Sequence, residues 1–221
     1  MPTVPLYPVG LMVAHQPCLV VGGGPVAGRK IVGLLACGAA VTVVAPEAHR
    51  AVGVLAASGA LATLGGPPVD VQLRPYRAGE AAAYRLAIAA TGVPAVDDAV
   101  CADAVAAGVW VNRADDPDAG SCHLPAVYRD GPVAVTVSTG GSSPALARWL
   151  LRRCAAACGE AVGPLAELLS AARRTVQSRG RPTDAVDWDG LLEGPLPALV
   201  GAGRLEEARR LLDVAVDAAT G

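Results

Sequence analysis

Cys18-Leu19-Val20-Val21-Gly22-Gly23-Gly24-Pro25-Val26-Ala27-Gly28-Arg29-Lys30 is a short apolar run that stops at three glycines and continues as a helix. Its spacing, Gly22-x-Gly24-x-x-Ala27, fits the dinucleotide fingerprint, in which alanine can replace the third glycine. Gly22 permits the tight turn out of the strand. Gly24 leaves no side chain between backbone and pyrophosphate, and Ala27 lets the helix lie close on the sheet. Free N–H groups at the helix start, aided by the helix dipole, would hold phosphates. Pro25 suits a first helical position, where a missing N–H costs no intrahelical bond. Gly22, Gly23, Gly24, Pro25, Val26 and Ala27 are therefore candidate cofactor-binding residues.

The surroundings support this reading. Val26, Ile31, Leu34 and Leu35 give the helix an apolar pattern, and Val41-Thr42-Val43-Val44 follows as a second strand. That makes a βαβ unit in roughly 30 residues. The second strand ends Ala45-Pro46-Glu47, all three candidates for the cofactor's ribose. The ribose carboxylate is either Glu47, slightly late for the motif, or absent, so the local sequence leaves NAD against NADP open.

Outward from this unit, Glu47 to Ser58 reads as helix and Val69 to Leu73 as a third strand, with a Gly-Pro loop at residues 65–68 between them. A short Ala-rich helix at Gly79 to Tyr84 precedes the buried strand Leu86 to Ala90. Thr91 ends that strand at the carboxyl edge, where open parallel sheets bind ligands. Val96 to Ala107 is the next helix and Val109 to Asn112 the fifth strand. Five strands with interleaved helices predict a doubly wound α/β domain of the Rossmann type over residues 1–113.

After residue 113 the pattern changes. Asn112-Arg113-Ala114-Asp115-Asp116-Pro117-Asp118 is a polar loop at the end of a parallel strand, facing the crevice. Val133 to Ser138 alternates as a strand and breaks at Thr139-Gly140-Gly141-Ser142-Ser143-Pro144, with Ser143 as N-cap of the helix that follows. This second glycine turn is either another anion site or an ordinary capped turn. Pro164 to Gln177 and Arg204 to Ala218 are amphipathic helices, and Arg179 to Gly194 reads as polar loop.

The chain has 221 residues and a net charge of −2, which gives no general attraction to nucleic acid. No apolar run nears the ~20 residues of a membrane span. No basic stretch precedes an apolar one near the N-terminus, so a cytoplasmic protein is expected, without membrane or nucleic-acid partner. The six cysteines lack C-x-x-C spacing and read as apolar filler in a reducing compartment, with no metal site.

In order and spacing these motifs resemble the precorrin-2 dehydrogenase family, the N-terminal module of siroheme synthase. The matching segments are Val21 to Lys30, Thr42 to Glu47, Ile88 to Thr91, the Asn112/Asp115/Pro117 loop, and Ser138 to Arg148. Gly92 departs from the aspartate common there.

The resemblance implies NAD-dependent dehydrogenation of precorrin-2 to sirohydrochlorin, with iron or cobalt insertion left open. It implies Asp115 as the catalytic carboxylate. It also implies a homodimer formed through a small α+β segment, residues 114–150; the helical patterns beyond Leu150 predict a helical C-terminal domain over 151–221. Arg113, Arg148 and the turn Thr139, Gly140, Gly141 and Ser142 are candidates for the substrate's many carboxylates. A fused methyltransferase domain, which some members carry, is not expected in this length. The alternative from another class is a regulatory module that senses NAD(H) without turnover. It explains the Gly22 turn but not the Asp115 loop.

Overall fold

The computed structural model describes residues 5–49, 52, 69–159 and 161–220. The chain divides into two compact units, Met1–Leu124 and Pro125–Gly221.

Unit one is built on β1 (Pro17–Val21), β2 (Ala40–Ala45), β3 (Asp70–Leu73), β4 (Leu86–Ala89) and β5 (Trp110–Arg113). All neighbours are parallel, in the order β3-β2-β1-β4-β5. Continuous apolar runs such as Leu-Ala-Ile-Ala in β4 suit strands covered on both faces, and β4 is buried throughout. Helix α1 (Pro25–Leu35) connects β1 to β2, and α2 (Pro94–Ala106) connects β4 to β5.

The period of two along β1 sorts the core into two layers. Cys18 and Val20 pack with Ile31, Leu34 and Leu35 of α1. Leu19 and Val21 pack with Val100, Cys101 and Ala104 of α2. Each fully buried Val, Leu or Ile side chain among them contributes about 1.5–3 kcal/mol. Chain order reverses between β1 and β4, which places the switch-point crevice above the end of β1.

The five expected strands and the helices expected after β1 and β4 are present, with two local differences. Val26 is 39% exposed, so the apolar face of α1 begins at Ala27. Glu80–Ala83 is a single 3-10 turn rather than a helix. The helix expected at 47–58 and the loop at 65–68 lie largely or wholly outside the described residues.

Unit two opens with an antiparallel hairpin, β6 (Ala126–Asp130) and β7 (Val133–Val137). The expected strand is β7; β6 is an addition. Helices α3 (Pro144–Cys158) and α4 (Val162–Ser178) pack on the hairpin. The segment expected as loop from Arg179 contains a 3-10 turn and α5 (Trp188–Glu193), whose N-cap Asp187 accepts from Gly190 N–H. α6 (Leu196–Gly201) and α7 (Leu205–Thr220) complete a small core of Val176, Leu196, Val200, Leu212 and Val216.

Candidate functional site

The three glycines after β1 are required for different reasons. Gly22 has φ +127, and a Cβ there would fall 2.3 Å from Ala90 O. A Cβ on Gly23 would fall 2.1 Å from Glu47 O, and Gly23 O accepts from His49 N–H at 2.9 Å. These two positions are closed by the protein's own backbone. Gly24 has ordinary extended dihedrals, and a Cβ there would meet nothing within 4 Å. Gly24 is therefore open on the side where a Cβ would stand.

Gly24 is also the N-cap of α1, so no side chain caps the first turn, and Pro25 supplies no N–H. The remaining first-turn amides, Val26 and Ala27, are the donors that a helix start offers an anion. This arrangement fits the pyrophosphate of a dinucleotide.

The walls of the crevice come from neighbouring strand ends. Ala45 is buried at the end of β2, where its carbonyl accepts from Arg74 N–H at 3.0 Å, and Pro46 and Glu47 beyond it are exposed. On the other side, Thr91 follows β4. Its hydroxyl and its N–H both meet Asp97 Oδ1, at 2.8 and 3.1 Å, and Val93 N–H donates back to Thr91 Oγ1. Asp97 is 1% exposed, and its Oδ2 has no partner among the described residues. The sequence reading missed Asp97, which looked like an ordinary acidic residue in the first turn of a helix.

Asp115 lies two residues past β5. Arg113 Nε donates to Asp115 Oδ1 at 2.9 Å, and Arg113 Nη1 pairs with Asp98 of α2. The hydrogen bond from Arg113 holds the Asp115 carboxyl below the usual aspartate range, and the same two carboxylates raise the Arg113 guanidinium. Arg113, expected among substrate ligands, is thus already paired twice.

The loop carrying Asp115 is tied back to β5. Ser121 and Cys122 N–H both reach Val111 O, Ser121 Oγ accepts from Val111 N–H, and buried Asn112 donates to Cys122 O at 3.0 Å. Asp116 caps this loop by accepting from Asp118 N–H. Near it, burial pushes the Cys122 thiol up to about 11 and, with Arg29 beside it, lowers Lys30. Among the described residues no group of His, Cys, Asp or Glu is arranged to hold a metal.

In unit two the glycine turn takes Gly140 at φ +59 and Gly141 at φ +82. Its amides are largely used internally. Gly140 N–H donates to Ser138 Oγ, Ser142 N–H to Thr139 O, and Ser143 N–H to Thr139 Oγ1. Ser143 caps α3 through Leu146 N–H at 3.2 Å. Ser142 and Arg148 are exposed.

A family model described as "Putative NAD(P)-binding" matches residues 9–126, more than half of the chain. The siroheme synthase of Methylococcus capsulatus is 40% identical over 214 residues, which is 96% of this chain and 44% of that protein. The siroheme synthase of Chromobacterium violaceum is 40% identical over 205 residues, 92% of this chain and 42% of that protein. The chain thus spans less than half the length of these relatives. A solved structure of "SirC, precorrin-2 dehydrogenase" superposes with a TM-score of 0.63 at 26% identity, covering 78% of this chain and 81% of that one.

Proposed function

Since the chain belongs to the NAD(P)-binding family whose model matches residues 9–126, we propose that it is an NAD-dependent oxidoreductase converting precorrin-2 to sirohydrochlorin. The observation that carries this reading is a carboxylate, Asp115, at the same sheet edge as the open position at Gly24. The siroheme synthases and the precorrin-2 dehydrogenase structure, each similar to this chain, support the substrate.

NAD, when bound, supplies the hydride acceptor. The oxidation removes a hydride and a proton from the substrate, so a base is needed beside the transfer. Asp115 takes that proton. The Gly22–Ala27 turn holds the pyrophosphate, while Ala45, Pro46 and Glu47 border the ribose and Thr91 the far side of the crevice. Arg148 and the Thr139, Gly140, Gly141 and Ser142 turn serve the substrate's carboxylates, with the exposed Arg148 and Ser142 side chains as the main donors because the Gly140 amide and the Thr139 hydroxyl are bonded within the turn. A sensing module without turnover would have no use for the Asp115 loop.

The working form is a cytoplasmic homodimer. Val127 on β6 and Leu146 and Trp149 on α3 are 41–47% exposed, an apolar surface that a second copy would cover. A monomer mass by light scattering at micromolar concentration would count against it. Among the described residues no helix is long and apolar enough to cross a membrane.

The deciding experiment is anaerobic incubation of the full chain with precorrin-2 and NAD, followed by nicotinamide absorbance. Reduced nicotinamide formed one for one with sirohydrochlorin supports the reading, and NAD binding without turnover overturns it. Ferrous or cobalt ion added afterwards tests metal insertion.

A further inference from the structure

We infer that Arg113 is a positioning residue: anchored by Asp98 of α2, it holds the Asp115 carboxylate in one orientation at the end of β5. The inference rests on the reading of Asp115 as the base and says what makes that carboxylate fit for the task.

The clamp is asymmetric. The Arg113 side chain is only 9% exposed, whereas Asp98 and Asp115 are 65% and 50% exposed. A cation seated in protein thus grips two carboxylates that reach into solvent. Its two bonds leave by different nitrogens, Nε to Asp115 and Nη1 to Asp98. A planar guanidinium gripped at two nitrogens cannot swing without breaking one bond. The orientation of Asp115 is therefore tied to α2 through Asp98, which lies 15 residues before Arg113.

A substrate-binding role for Arg113 fits this geometry poorly. One positive charge faces two negative ones, so the cluster carries net negative charge and would repel a substrate carboxylate. The titratable and charged groups around the pair are Asp97, Asp98 and Cys101 on α2, Arg113 on β5, and Asp115 with Asp116 in the loop. Among these Arg113 is the cation, so its loss leaves Asp115 among like charges and raises its affinity for protons.

The test uses the full chain with carbon-labelled aspartate, and follows the Asp115 carboxyl by NMR across acidic pH. In Arg113→Gln that carboxyl is expected to titrate at higher pH than in the parent, with an unchanged NAD dissociation constant showing that the fold is kept. Turnover at neutral pH should fall by up to about 10²-fold, the scale of a misplaced catalytic group. Asp98→Asn should move both quantities the same way by less, and Arg113→Lys should restore part of the loss. An unmoved Asp115 titration in Arg113→Gln overturns the inference. So does a raised KM for the tetrapyrrole with kcat unchanged, which would make Arg113 a substrate ligand. Parent-like turnover in Asp115→Asn instead overturns the base assignment, and the NMR titration still decides the clamp.

Discussion

Asp130, at the turn end of β6, accepts a 2.7 Å hydrogen bond from the backbone N–H of Gly163 in the first turn of α4. The contact is so close that a Cβ on Gly163 would fall 2.5 Å from Asp130 Oδ1. The hairpin thus caps a helix that begins 32 residues later, at Val162. Asp130→Ala should destabilise unit two by about 1 kcal/mol, the usual value of a lost cap. Gly163→Ala should cost about 1–3 kcal/mol through overpacking. Chemical denaturation of the two variants checks the order, and equal midpoints for Gly163→Ala and the parent would contradict it.

Gly24→Asp should fold normally yet lose detectable NAD binding, because a Cβ there meets no protein atom within 4 Å and the added carboxylate would enter the space proposed for the pyrophosphate. Gly22→Ala should instead lose the fold, since its Cβ meets Ala90 O and its φ is positive. Circular dichroism paired with calorimetric titration separates the two effects. NAD affinity retained in folded Gly24→Asp would remove the cofactor from this turn.

Asp115→Asn keeps size and hydrogen bonding, so NAD affinity should persist while dehydrogenation slows by about 10²–10⁴-fold. Asp116, engaged with Asp118 N–H, is a control whose change to Asn should cost less than about tenfold. Steady-state rates with precorrin-2 at saturating NAD measure both. Equal losses in the two variants would mean that loop geometry, rather than one base, is being probed.

Glu47 is exposed just past β2, where a 2′-phosphate would meet its charge. NAD should therefore be used in preference to NADP, and Glu47→Gln should narrow the ratio of kcat/KM values. A ratio near one in the parent would show that Glu47 faces away from the ribose.

Acid should weaken unit one partly through Glu80. Burial alone would raise its carboxyl, but hydrogen bonds from the Arg74 side chain and the Arg77 N–H outweigh that and lower it. A carboxyl lowered in the native state contributes stability above its unfolded value, about 4.3, and loses it as pH falls through the native value. Glu80→Gln should flatten the fall in denaturation midpoint below about pH 4.3. A slope identical to the parent's would assign the acid sensitivity to other carboxyls.

The βαβ start was legible because its signals are local: a β-branched run, a glycine turn and a helical apolar period lie within one stretch. β6 was not, since Ala126-Val127-Tyr128-Arg129-Asp130 interleaves half-buried and exposed residues without an apolar run. The helices α5 and α6 were hidden by Pro182, Gly194 and Pro195, although tertiary packing buries Leu196 and Val200. The same limit applies to the site. Gly22 to Ala27 is a spacing and can be read, whereas Asp98–Arg113–Asp115 exists only because β4 and β5 are neighbours. An acidic pair opening one helix, with an arginine at the end of the next strand, was the available clue.

The place of β1 at the centre of the sheet has a consequence for motion. Its amides are bonded into ladders beside β2 and β4 and covered by a helix on either face. Local opening there requires breaking both ladders, so these amides should be among the last of unit one to exchange with solvent. The glycine turn continues directly from this slowest strand, and the Asp115 loop is tied back to β5 through Ser121, Cys122 and Asn112. The floor of the crevice should therefore be the part of unit one slowest to open, a surface that a ligand can meet without rearranging it.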